Sequence, residues 1–233
     1  MPFAAFLLSK GDMSEENKLI AVKAVGDWEL DVLAVPFSKD ADGQWFDQNT
    51  DVMADTFQTP LIVYQHGVKR GAKGYAEKPV ILGKSLPGSL QKLADGWHVR
   101  VILDKTVKLA HDIYEAAKKG LVAVSSGAIS HLARLDIGGK LIPYDKNRPG
   151  RIAVWSLAEV SLWEKGNGNA NPANPGAYAI PLNAMKAIYR ESGTPFPEIS
   201  DDVLPEAAKA AKRARIVEQS KQILKKTERL YKE

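Results

Sequence analysis

The residues able to do covalent chemistry in this chain are few. There is no cysteine, which removes a thiolate nucleophile, disulfides and cysteine-ligated metal sites, so any nucleophile must be oxygen or nitrogen. A hydroxyl becomes a nucleophile only when a base can take its proton and a third group orients that base. The bases on offer are four histidines: His66, His98, His111 and His131. His66 closes the apolar run Leu61-Ile62-Val63-Tyr64 and is followed by Gly67, which lets another part of the chain approach closely. His98 falls within a strand pattern and His111 on a helix, where a solvated or core-edge histidine is the ordinary case.

The hydroxyl that stands out is in Val124-Ser125-Ser126-Gly127-Ala128, where an apolar strand ends in two serines and a glycine. Ser-Ser-Gly is also a common way to leave a strand, so the turn alone decides nothing. His131 follows five residues after Ser126 and could return beside the serine as a second histidine. Glu159 is flanked by apolar residues in Leu157-Ala158-Glu159-Val160-Ser161-Leu162, and a carboxylate inside such a run should be paired or hydrogen-bonded. Either Glu159 or His131 could orient His66. Backbone N–H groups at a Ser126-Gly127 bend, with Arg134 downstream, are the candidate oxyanion donors.

The elements that must position these residues read as mostly β. Strands are expected over Leu19 to Val25 and Trp28 to Phe37, with a tight turn at Asp40-Ala41-Asp42-Gly43. Val80 to Leu82 should pair with Trp97 to Leu103, whose alternation fits a half-buried strand. A helix is expected from Thr106 to Lys119, stopped by Gly120, and a strand from Leu121 that reaches a bend at Ser125. Residues 136–151 read as turn-rich, and Ile152 to Leu162 as strand. Gly166 to Gly176, all Gly, Asn, Ala and Pro, reads as an irregular loop. The fold class is α+β: a mostly antiparallel β-barrel or curved sheet with flanking helices, plus a C-terminal helix. The expected division is a flexible arm at 1–18, a main domain at 19–190, and a linker with a basic helix at 191–233.

Composition bounds the function. The 233 residues are 45% hydrophobic and 26% charged, enough for a real core. The net charge of +4 divides unevenly: 203–233 carry nine Lys or Arg against four Glu, or +5, leaving −1 for 1–202. The basic character belongs to the tail, so nucleic acid is not the expected partner of the body. The tail repeats apolar pairs every seven residues, Ile216-Val217, Ile223-Leu224 and Leu230-Tyr231, a seam for a partner helix or for the body. Phe3 to Leu8 is too short to span a bilayer and lacks a preceding basic segment, so a cytoplasmic protein is expected. Nucleotide-binding loops, zinc-hydrolase motifs and EF-hand loops are absent from the sequence, and no cofactor or metal is expected.

The order of motifs carries a resemblance. Tyr64-Gln65-His66-Gly67, the helix Asp112 to Gly120, Val124-Ser125-Ser126-Gly127-Ala128, Trp155 to Leu162 and Asn171-Pro172-Ala173-Asn174-Pro175 are together similar to the prohead proteases of tailed phages, over about residues 28–182. The resemblance implies a fold like that of the herpesvirus assembly protease. It also implies a serine endopeptidase that matures the procapsid inside the bacterial host by cutting scaffold and capsid proteins, and itself. His66 matches the family's histidine. Ser125 matches its serine, since a glycine lies two positions on, with Ser126 as the alternative. The acidic residue of the Glu-Val-Ser-Leu segment, here Glu159, matches the third member in the phage branch, while His131 corresponds to the second histidine of the herpesvirus branch. The chain departs from the pattern after Leu162, where Trp163-Glu164-Lys165 replaces Thr and Pro. The competing expectation is a non-enzymatic, β-rich assembly or scaffold protein, able to form homo-oligomers, that binds partners through its C-terminal helix.

Overall fold

The computed structural model describes residues 22–40, 43–68, 78–165 and 178–197. The expected arm at 1–18, the whole Gly166 to Gly176 loop and the heptad seam lie outside them. The elements, in chain order, are β1 (Val22–Gly26), β2 (Glu29–Pro36), β3 (Gln44–Trp45), β4 (Leu61–Tyr64), β5 (Ile81–Ser85), β6 (Gln91–Lys92), β7 (Gly96–Leu103), α1 (Lys108–Lys118), β8 (Val122–Ile129), β9 (Arg134–Ile137), β10 (Lys140–Pro143), β11 (Gly150–Val154), β12 (Leu157–Glu164), β13 (Tyr178–Ile180) and α2 (Leu182–Glu191).

The α+β class is as expected, but neither sheet closes into a barrel. One sheet runs β1-β2-β7-β5-β4-β12-β8-β13, with β6 on β7, and the smaller runs β10-β9-β11-β3. The pairing is not uniformly antiparallel: β4 runs parallel to β12, β13 parallel to β8, and β11 parallel to β3. The expected pairing of the Val80 segment with the Trp97 strand is present as β5 against β7.

The middle of the large sheet is buried on both faces, because successive residues of a strand point to opposite sides. Ile62, Val124, Val160 and Leu162 belong to the larger apolar cluster, together with Ala110, Ile113 and Ala117 of α1 and residues of the small sheet. Leu61, Val63 and Ile129 belong to a second cluster formed with Ala184, Met185, Ile188 and Tyr189 of α2. Trp155, fully buried between β11 and β12, joins the sheets by edge contacts to Phe46 at 5.6 Å and Tyr144 at 5.3 Å.

Two expectations need correction. Residues 136–151 are not simply turns, since β9 and β10 form a hairpin through Gly138 and Gly139, at φ +60° and +84°. Two successive left-handed residues are the geometry a two-residue hairpin loop requires, and glycine adopts it freely. Ser125 does not sit at a bend, because β8 continues as strand through Ser125, Ser126 and Gly127 to Ile129 with every position buried. α2 ends at Glu191, and beyond it Phe196 packs edge-on against Tyr189 at 5.1 Å.

At the β5–β7 crossing, a Cβ on Gly83 would overlap the Ile102 carbonyl oxygen and lie 2.8 Å from Leu103 Cα. The obstacle is backbone on both counts and cannot swing away. Gly83→Ala is therefore expected to lower unfolding stability by about 1–3 kcal/mol in a denaturant titration; an unchanged midpoint would show that the β5–β7 contact is looser than described.

Candidate functional site

Three adjacent strands set the geometry. Across β4, β12 and β8, Val63, Ser161 and Ser125 form one row, and Leu61, Glu159 and Gly127 the row two residues away. Residues opposite each other, and residues two apart, share a face. Ser125, Glu159 and Ser161 therefore point to the same side, the side covered by α2. A Cβ on Gly127 would overlap Glu159 Oε1 and come within 2.6 Å of its Cδ. The Glu159 carboxyl lies in the space that the missing side chain of Gly127 leaves open.

His66 reaches that carboxyl by reversing direction. β4 and β12 are parallel and Leu61 is opposite Glu159, so a straight continuation of β4 would carry residue 66 about 16 Å along the sheet from that row. Instead Gln65, His66 and Gly67 adopt left-handed conformations, with φ of 45°, 56° and 64°. For a non-glycine residue each such conformation costs about 1–2 kcal/mol. The turn is held in three ways. His66 N–H donates to Ser161 Oγ at 2.6 Å, Val68 N–H donates to the Gln65 carbonyl at 2.9 Å, and Gly67 packs against Pro79 so closely that a Cβ would come within 2.9 Å. The imidazole then meets Glu159, Nδ1 against Oε1.

Electrostatically, the pair is enclosed. Glu159 is 0% exposed and His66 8%, and Glu159 Oε2 has no hydrogen-bond partner. Burial raises the Glu159 carboxyl above its ordinary range, and His66 works against that rise through its charge and its hydrogen bond. Tyr189 of α2, whose hydroxyl donates to the Ala158 carbonyl at 3.0 Å, has its phenol pushed above its ordinary value by burial and by Glu159. When Glu159 is ionised it can only accept, so Nδ1 carries the hydrogen and Nε2 is left as the basic nitrogen. That arrangement is suited to moving a proton at Nε2.

The expected residues separate clearly. Ser125 shares the face of Glu159. Ser126 points to the opposite face, where its Oγ accepts from Trp155 Nε1 at 3.1 Å. His131 does not return beside either serine: it lies exposed in the turn after β8, past Ile129, which is itself about 13 Å along the strand from Ser125. Arg134 is buried, its Nη1 donating to the carbonyls of His131 at 2.8 Å and Ala133 at 2.7 Å, and burial lowers its pKa. Its observed work is to hold that turn. The Ser126-Gly127 bend expected to offer oxyanion donors is continuous strand, with Gly127 paired to Glu159 on one side and Tyr178 on the other. His98 sits between Asp31 and Asp95, at 3.3 and 3.0 Å, and His111 contacts the Lys105 carbonyl at 2.7 Å, both on other elements.

Ser161, Tyr189 and Trp163 also surround the pair, without having been expected there. Trp163 is 5% exposed, its ring is 6.2 Å from that of His66, and its indole N–H has no partner. Period-two spacing from Glu159 would have placed Ser161 and Trp163 on its face. Tyr189 belongs to a helix that was not anticipated. Among the described residues no group of three or more His, Asp or Glu could hold a metal ion, and no helix is long and apolar enough to cross a membrane. Comparison with protein-family models, curated proteins and solved structures finds no match to the chain.

Gly127→Ala is expected to displace the Glu159 carboxyl and part it from His66, read as loss of the hydrogen-bonded Nδ1–H proton resonance; persistence of that resonance would refute the packing argument. The folded carboxyl of Glu159 titrates above the unfolded one, so the native state keeps a proton that the unfolded chain has already released. Stability from this group is thus full below the ordinary carboxylate range and falls as pH rises through the folded value. In urea titrations from about pH 4 to 8, the wild type should lose stability relative to Glu159→Gln as pH rises; parallel profiles would contradict this.

Proposed function

We propose that the chain is a serine endopeptidase in which Ser125 is the nucleophile, His66 the general base and Glu159 the group that orients His66. The observation that carries this reading is the buried Glu159 carboxyl against His66 Nδ1, on the sheet face that Ser125 shares. A carboxylate with no exposure and a strained histidine turn are costly for stability alone, and such features concentrate where chemistry is done. Ser125 is 6% exposed, so its hydroxyl meets a substrate in a largely desolvated setting.

In the proposed reaction Ser125 Oγ attacks a peptide carbonyl carbon while its proton passes to His66 Nε2. The C–N bond breaks as His66 returns that proton to the leaving amine, and an acyl-enzyme remains. Water then attacks the ester carbonyl, giving one proton to Nε2, and that proton is handed to Ser125 as the acyl group leaves. Glu159 accepts from Nδ1–H throughout and stabilises the imidazolium that forms. No metal or cofactor enters.

The resemblance of the motif order to phage prohead proteases supplies the biological setting. The finer fold reading is herpesvirus-protease-like, the substrates are scaffold and capsid proteins and the chain itself, and the place of action is the procapsid within the bacterial host. The basic segment at 203–233 is then a docking element.

The test is intact mass over time for the full chain alone and with capsid and scaffold proteins. Wild type and Ser126→Ala should cut, whereas Ser125→Ala, His66→Ala and Glu159→Gln should stay whole or slow by at least about a hundredfold. Ser126→Ala should also be less stable by about 1–3 kcal/mol, because the buried Trp155 N–H loses its acceptor. If every variant and the wild type remain intact with substrates present, the non-enzymatic assembly reading replaces this one.

A further inference from the structure

We propose that Ser161 is the positioning residue for the base, holding the backbone of the His66 turn so that the imidazole meets Glu159; this rests on the peptidase reading above. Ser161 is 0% exposed and stands in the strand row between Val63 and Ser125. Its Oγ accepts the His66 N–H at 2.6 Å. That N–H belongs to a residue that has left the β4 ladder with φ of 56°, so the parallel β12 backbone no longer receives it in register. The hydroxyl substitutes for the ladder. Together with the Glu159 carboxyl two residues earlier on the same face, it fixes His66 at two points, backbone and ring, both from β12.

The same strand therefore carries both tethers. A shift of β12 relative to β4 moves them as one, so the backbone and the ring of His66 stay in step with each other. Removing the hydroxyl takes away the Ser161 acceptor of a buried N–H in a strained turn, and the conformation with the most to gain is one in which Gln65 and His66 relax to ordinary φ and the ring withdraws.

The test uses the full chain with Ser161→Ala and Ser161→Thr, the second keeping an Oγ, at equal folded fraction. Two quantities are read: the rate at which a fluorophosphonate labels Ser125, and the exchange rate of the His66 amide. Ser161→Ala should label about tenfold more slowly, the size of effect one lost hydrogen bond gives, and expose the His66 amide. Ser161→Thr should restore both. If Ser161→Ala fails to fold, Ser161→Cys, with its weak acceptor, should show intermediate slowing and protection. Labelling by Ser161→Ala at the wild-type rate, with only a lower melting temperature, would overturn the proposal, as would unchanged amide exchange. If no protein is labelled yet exchange follows the hydroxyl, the peptidase reading falls while the hold of Ser161 on His66 stands.

Discussion

A carboxyl group removed from water pays a desolvation penalty of several kcal/mol unless charge or hydrogen bonds replace the solvent. At Glu159 the replacement is incomplete, because Oε1 has His66 and Oε2 has nothing. Much of the surrounding architecture follows from making that placement possible. Gly127 must lack a side chain for the carboxyl to fit, β4 must run parallel to β12 so that the residue leaving β4 is on hand, and the chain must then fold back through a left-handed turn to reach it. Any one of these changes would be unremarkable in a sheet; their coincidence at one carboxyl is not.

The alternation of a β-strand does the rest of the sorting. Neighbouring serines on β8 face opposite sides and meet different surroundings, Ser126 an indole N–H in the larger core and Ser125 the face of Glu159 and Ser161. α2 closes that face. Ile188 lies against Gly67 and Tyr189 bonds the Ala158 carbonyl, so one helix touches both the turn that carries His66 and the strand that carries Glu159. Apolar burial by α2 is thereby coupled to the electrostatics of the pair, since the exclusion of water is what raises the carboxyl.

The local parts of this arrangement were legible in the sequence, and the non-local parts were not. β2, β7, α1 and β8 follow from alternation and helical spacing with a glycine stop, and Glu159 announced itself as a carboxylate in an apolar run. His66 was recognisable as a strand-closing histidine, but its reversal was not, because Gln65 and His66 have side chains that give no signal for a left-handed φ. The parallel pairing of β4 with β12 joins residues nearly a hundred apart and leaves no trace in either segment's pattern. The expected bend at Ser125 came from treating Ser-Ser-Gly as punctuation. The glycine there has an ordinary extended backbone, and what it supplies is empty volume. The Gly138-Gly139 pair is a hairpin signal, but in a turn-rich neighbourhood it does not by itself mark the short strands on either side.

Stability alone would remove most of what is unusual here. A glycine at 65 or 66 would relieve the left-handed strain, and an amide at 159 would end the desolvation cost of a buried charge. The chain instead retains both costs side by side and offsets them with two fully covered apolar clusters on either face of the same three strands. In the proposed reaction, strain and desolvation at a histidine and a carboxylate would serve one purpose in common: they would hold the imidazole in one orientation before any substrate arrives. That is the condition under which proton transfer at Nε2 needs no reorganisation at the moment of reaction. The proposed catalysis is thus supported less by which residue types are present than by where the fold accepts instability in order to hold them.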